Sequence, residues 1–122
     1  MSVCNCKVKF IRPEYANLKE WCKDEKNVYI GRKGIVFIKN EITEKKERYP
    51  KISSVFCNPF KVGKDGNREE VIEKYENYIT EKIQLEPELK IRLIEMKNKN
   101  LGCWCYPEKC HGDILIDIIN KL

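Results

Sequence analysis

The chain has 122 residues, 42% of them hydrophobic and 35% charged, with a formal net charge of +5. That is the size of a single domain, long enough to bury a core without disulfide staples and too apolar for a disordered chain. No stretch approaches the roughly 20 apolar residues that a membrane-spanning helix needs, so no membrane partner is expected. The excess of basic residues is small and interleaved with acids, as in Glu44-Lys45-Lys46-Glu47-Arg48. Interleaving of this kind marks a solvated face more often than a nucleic-acid stripe. Seven cysteines cannot all pair internally. Lys7 and Lys9 interrupt any secretory pattern at the start, so an intracellular, reducing location with free thiols is expected.

In chain order, Val3 to Ile11 alternates apolar and polar residues close to period two and reads as a strand that ends before Pro13. Tyr15 to Cys22 reads as a short helix with Leu18, Trp21 and Cys22 on one side. Asn27 to Arg32 and Gly34 to Ile38 read as strands, with Gly31-Arg32-Lys33-Gly34 as a hairpin-like turn between them. Asn40 to Lys51 is a charged excursion, either an exposed loop or an extended hairpin arm. Ile52 to Phe60 is apolar again, and Gly63-Lys64-Asp65-Gly66 is a turn. A helix follows, with Asn67 as N-cap and Glu70 at capping-box spacing. Val71, Ile72, Tyr75, Ile79 and Ile83 form its buried stripe. A second helix starts around Pro87 and buries Leu89, Leu93 and Met96. Asn100 to Cys105 is a short strand, and the last helix begins at Pro107 or shortly after, burying Ile114, Leu115, Ile118, Ile119 and Leu122. This order predicts a single α/β domain spanning residues 1–122, a mixed sheet covered by helices in a Rossmann-like sandwich. Residues 33–57 form an inserted charged loop or hairpin.

The chemistry concentrates in Cys103-Trp104-Cys105-Tyr106-Pro107-Glu108-Lys109-Cys110-His111-Gly112-Asp113. Alternation in a strand points Cys103 and Cys105 to one face and Trp104 to the other. A turn at Tyr106-Pro107 leads into the helix, placing Cys110 and His111 on or near its inward side. Gly112 leaves room for a ligand or another backbone, and Asp113 can accept hydrogen bonds or orient His111. A strand end beside a helix start is also where open α/β sheets bind ligands, with amides and a positive dipole end that favour anions and lower thiol pKa values. Three readings are open. Cys103, Cys105, Cys110 and His111 could be four zinc ligands, although C-x-C-x4-C-H is not the usual paired spacing. Cys105 or Cys110 could be a reactive thiol served by His111 and Asp113, which makes Cys105, Cys110, His111 and Asp113 the catalytic candidates. All could instead be buried structure.

Three segments carry a family resemblance: Asn27-Val28-Tyr29-Ile30-Gly31-Arg32, then Asn58-Pro59-Phe60-Lys61-Val62-Gly63-Lys64-Asp65-Gly66, then Leu101 to Asp113. In order and content they resemble the signature segments of the domain of unknown function 4326 family, from about Val28 to the C-terminus. The lysine- and asparagine-rich composition is most similar to members from large DNA viruses, which implies a host-cytoplasmic or virion location. The family implies positions and no reaction. Arg32, Asn58, Pro59, Phe60, Arg68, Cys103, Cys105, Cys110, His111, Gly112 and Asp113 match its signature positions. The segment Lys33 to Cys57 is longer than the short link of many members.

Arg32, Asn58, Phe60, Lys64, Arg68 and Gly112 are therefore the ligand-binding candidates, with bidentate arginine contact to phosphate or carboxylate as the fitting chemistry. Gly63 to Arg68 could hold an anion, but Asp-Gly followed by Asn and Glu is ordinary turn and cap chemistry. The expected function is binding of a small anionic ligand such as a nucleotide at a Cys/His pocket. Whether a reaction follows is left open by the residues. The alternatives are a nucleic-acid- or protein-binding module using lysines of the inserted segment, and a zinc-stapled structural domain.

Overall fold

A computed structural model describes residues 2–105 and 108–122. Three short strands, β1 (Ser2–Asn5), β2 (Asn27–Tyr29) and β5 (Asn100–Cys103), form a parallel sheet in the order β1-β5-β2. Antiparallel pairing occurs in a separate ribbon of β3 (Val36–Lys39) and β4 (Lys46–Tyr49), where Val36 faces Tyr49 and Lys39 faces Lys46. Helices cover the parallel sheet, so the chain is an α/β fold.

Side-chain alternation divides the core in two. Val3, Val28, Leu101 and Cys103 pack with α3 (Arg68–Leu85), α4 (Glu88–Glu95) and α5 (His111–Asn120). Cys4, Tyr29 and Trp104 belong to a second cluster with Trp21, Leu18 and Ile11. These last come from α1 (Val8–Ile11) and α2 (Leu18–Lys23), and Val36, Ile38 and Tyr49 of the ribbon pack on the same cluster. Tyr75, Ile79, Leu93, Leu115 and Ile119 are the buried centre of the helical side. The expected helix stripes hold with three exceptions: Ile83 and Ile118 are only partly buried and Leu122 is exposed. The α3 start carries the expected capping box, Asn67 Oδ1 accepting from Glu70 N at 2.9 Å and Glu70 Oε1 from Asn67 N at 3.0 Å.

Three local expectations are corrected. The opening strand stops at Asn5, because its partner β5 ends at Cys103 and offers only one further bond, Cys6 N to Cys103 O at 2.9 Å. Beyond it the chain forms the single turn of α1, which buries Ile11 and leaves Phe10 exposed. Gly31 to Gly34 does not join two paired strands. β2 lies in the parallel sheet, while β3 pairs forward with β4, so the charged excursion is the second arm of a hairpin. Asn40 makes its tip by accepting from Ile42 N and Thr43 N through its side chain. Pro87 precedes α4 as its N-cap. The expected Tyr106-Pro107 turn lies outside the described residues.

Candidate functional site

Parallel strands place their carboxyl ends on one edge, so the segments after β2 and β5 emerge side by side with the start of α5. A cavity of about 570 Å³ opens there, within the ~300–1,000 Å³ range of small-molecule sites. Its wall includes Arg32 after β2, Asn58 and Phe60 from the next loop, and Arg68 at the start of α3. Cys103 contributes from the end of β5, Trp104 and Cys105 from the segment after it, and Cys110 and His111 from the cap and first residue of α5. Of the sequence-derived ligand candidates, Arg32, Asn58, Phe60 and Arg68 are thus brought together with the cysteine-histidine corner. Lys64 and Gly112 are not part of the wall.

Arg32 builds the wall before it can bind anything. Its Nε donates to the Asn58 carbonyl at 2.9 Å and its Nη2 to the Phe60 carbonyl at 3.0 Å. Asn58 folds the same segment by accepting from Phe60 N at 2.9 Å. Behind them Trp104 Nε1 donates to Tyr29 Oη at 2.9 Å, and Tyr29 Oη donates to the Arg32 carbonyl at 2.8 Å. Burial pushes the Tyr29 phenol up to about 12, so it stays a donor at any ordinary pH. Tyr29 and Trp104 therefore position the β2 exit, a role that the sequence alone does not show. The sequence reading missed Lys61, Lys109, Ile35 and Val62 in the wall. Lys61 and Lys109 had a usable signal, each adjoining a residue already singled out.

The α5 start differs from expectation in its chemistry. Cys110 is the N-cap: its sulfur accepts from Gly112 N at 3.3 Å, and Asp113 Oδ2 accepts from Cys110 N at 3.0 Å. Asp113 completes this capping box and does not hydrogen-bond His111. The cap thereby uses helix-end amides that the sequence reading left for an anion. Gly112 serves packing as well, since a Cβ there would stand 2.9 Å from Val3 Cγ2 and 3.1 Å from Ile30 Cδ1. The Cys110 thiol is pushed up, first by its hydrogen bond to Cys103 and then by burial, against the lowering expected at a helix start. Cys105 is half-buried and has the Arg68 guanidinium against its sulfur, a contact that raises the arginine pKa.

His111 is 8% exposed, and its Nε2 donates to the Ile30 carbonyl at 2.7 Å. Because a carbonyl can only accept, the neutral ring carries its proton on Nε2 and keeps Nδ1 as an acceptor. Tyr75 packs edge-on to the ring at 5.0 Å and is held by donating to the Phe56 carbonyl at 2.6 Å. Burial holds the His111 pKa below its ordinary 6.5. The unfolded chain therefore takes up this proton first as pH falls. Stability is fully present above about 6.5 and is lost below it, toward the folded-state pKa. Thermal melts between pH 7 and pH 5 should show the wild type losing more stability than His111→Gln, by up to about 1.4 kcal/mol per pH unit. Equal slopes would contradict a buried neutral ring.

The zinc reading is not supported by this geometry. Among the described residues no group of three or more His, Cys, Asp or Glu side chains is placed to hold a metal ion. His111 Nε2 is already committed to Ile30. Nor is there, among the described residues, a helix long and apolar enough to cross a membrane.

A family model matches residues 14–121. The chain belongs to the family described as Domain of unknown function (DUF4326). Among similar proteins is an uncharacterized 12.4 kDa protein in the nrdA-td intergenic region of Enterobacteria phage T4. It is 40% identical over 62 residues, covering 50% of this chain and 57% of that protein. Uncharacterized protein R718 of Acanthamoeba polyphaga mimivirus is 36% identical over 73 residues, covering 53% of this chain and 52% of that protein. The chain thus spans about half the length of these curated relatives. No solved structure matches it. Both of these similar proteins come from large DNA viruses, the kind of source that the sequence resemblance implied.

Proposed function

We propose that this DUF4326 chain binds a small anionic ligand with a flat apolar part, a nucleotide or nucleotide derivative, in the cavity at the carboxyl ends of β2 and β5. One observation carries the reading: Arg32, Lys61, Arg68 and Lys109 line the cavity with no carboxylate among its described wall residues, beside the aromatic side chains of Trp104 and Phe60. Cations around a partly apolar cleft focus a positive field and attract phosphate. Aromatic side chains offer a base a stacking surface. Arg68, Lys61 and Lys109 are assigned to the phosphate, with Arg32 holding the loop that carries Phe60. If the ligand is transformed, Cys105 is the thiol suited to attack it, being half-buried on the cavity wall with the Arg68 guanidinium beside it, and His111 lies on the same wall with Nδ1 as its acceptor.

Thermal melts with a panel of mononucleotides, the corresponding nucleosides and inorganic phosphate test this. At a hundredfold excess over Kd a bound nucleotide adds about 2.7 kcal/mol of stability, a shift of several degrees. Nucleoside alone and phosphate alone should shift the melt less. No shift with any nucleotide would overturn the reading.

A second reading places nucleic acid on the ribbon. Its outer face presents Phe37, 62% exposed, beside Arg48, Lys39 and Lys46. Single-stranded oligonucleotide binding that falls steeply with salt, and is lost when Lys39 and Lys46 are both changed to Glu, would favour it.

A further inference from the structure

Cys103 at the end of β5 and Cys110 at the cap of α5 are 1% and 3% exposed, and their sulfurs stand 3.1 Å apart. Both line the cavity, so an opening of its wall brings a small molecule in that space to the pair. The gap exceeds the ~2.05 Å of a disulfide by only about 1 Å. We propose that Cys103 and Cys110 form a reversible thiol–disulfide site, oxidised by a low-molecular-weight disulfide that enters through the cavity.

One cysteine sulfur, as thiolate, attacks a sulfur of the external disulfide. A mixed disulfide forms and one small thiol leaves with a proton. The second cysteine, also as thiolate, then attacks the protein sulfur of the mixed disulfide and displaces the other small thiol. In sum two S–H bonds are lost and one S–S bond joins Cys103 to Cys110. The external disulfide takes up the two electrons and two protons as two thiols. The hydrogen bond between the two cysteines and their burial keep Cys110 protonated at neutral pH, so the reaction quickens as pH rises. The bond fixes the end of the central strand to the start of α5, two walls of the cavity. Neither step depends on which ligand the cavity takes.

The test uses the full chain incubated with glutathione disulfide, alkylated, and digested with trypsin. The expected result is loss of two of the seven alkylatable thiols and a link between the peptides Asn100–Lys109 and Cys110–Lys121, with fragment ions placing it on Cys103. Dithiothreitol should restore all seven thiols. Cys105→Ser should keep the link, and Cys103→Ser should lose it. A wild-type chain that keeps seven thiols, carries only mixed disulfides with glutathione, or links through Cys105 overturns the proposal, whatever the stability of the variants.

Discussion

Gly102→Ala is expected to destabilise the protein by about 3 kcal/mol, the upper range for overpacking a close-packed interior. Gly102 sits in the central strand with both neighbours paired to it, Cys4 on one side and Tyr29 on the other. A Cβ there would lie 2.4 Å from Trp21 Cη2 and 2.5 Å from Cys6 Sγ. The indole belongs to a buried cluster in which Trp21 is 3% exposed, so it has little room to withdraw. Moving β5 away instead would break two parallel ladders at once. Chemical denaturation of the variant against wild type measures the effect. A change below about 1 kcal/mol would show that α2 is less tightly seated on the sheet than its contacts indicate.

Arg68→Ala is expected to weaken nucleotide binding by roughly 10- to 100-fold, since a charge-assisted contact contributes about 1.5–3 kcal/mol and each 1.4 kcal/mol is tenfold. Its stability should stay within about 0.5 kcal/mol of wild type. The guanidinium pairs with Glu108 at 2.7 Å, but both side chains are substantially exposed, and exposed pairs contribute little. Isothermal titration alongside denaturation separates the two effects. Unchanged affinity would remove Arg68 from the phosphate contact. A large loss of stability would make it a structural tie between α3 and the β5–α5 segment.

The helical half of the fold was legible because its signals are local. Asn67 and Glu70 announce the α3 start, and the apolar spacing from Val71 to Ile79 sets its buried face. Strand ends were less legible because a strand lasts only as long as its partner. Cys6 to Phe10 alternates as a strand should, yet no neighbour extends beyond Cys103 to receive it. The ribbon was legible only in part: a hairpin arm was one of two readings of the charged stretch, but β3 was joined to β2 through Gly31–Gly34, since Lys45–Arg48 lacks the apolar alternation that advertises a strand partner.

At the site, the family resemblance had singled out Arg32, Asn58, Phe60 and Arg68, which the structure places on one cavity wall with the cysteine corner, while roles within it depended on atomic geometry. Nothing in the sequence separates a cysteine that caps a helix from one that attacks a substrate. Only the contacts of Cys110 with Gly112 N and Cys103 do so. Asp113 likewise reads as an orienter of His111 until its carboxylate is seen on the Cys110 amide. Lys64 stands in the turn before α3 and outside the cavity wall.

The claim that the cavity at the β2 and β5 ends is the ligand site is tested most directly by nuclear magnetic resonance of the labelled chain titrated with a mononucleotide. The expected result is chemical-shift change at the Trp104 indole N–H and at the amides of Arg32, Phe60, Lys61, Cys105 and His111, with Lys39 and Lys46 unmoved. Shifts confined to the ribbon, or none at saturating nucleotide, would contradict it.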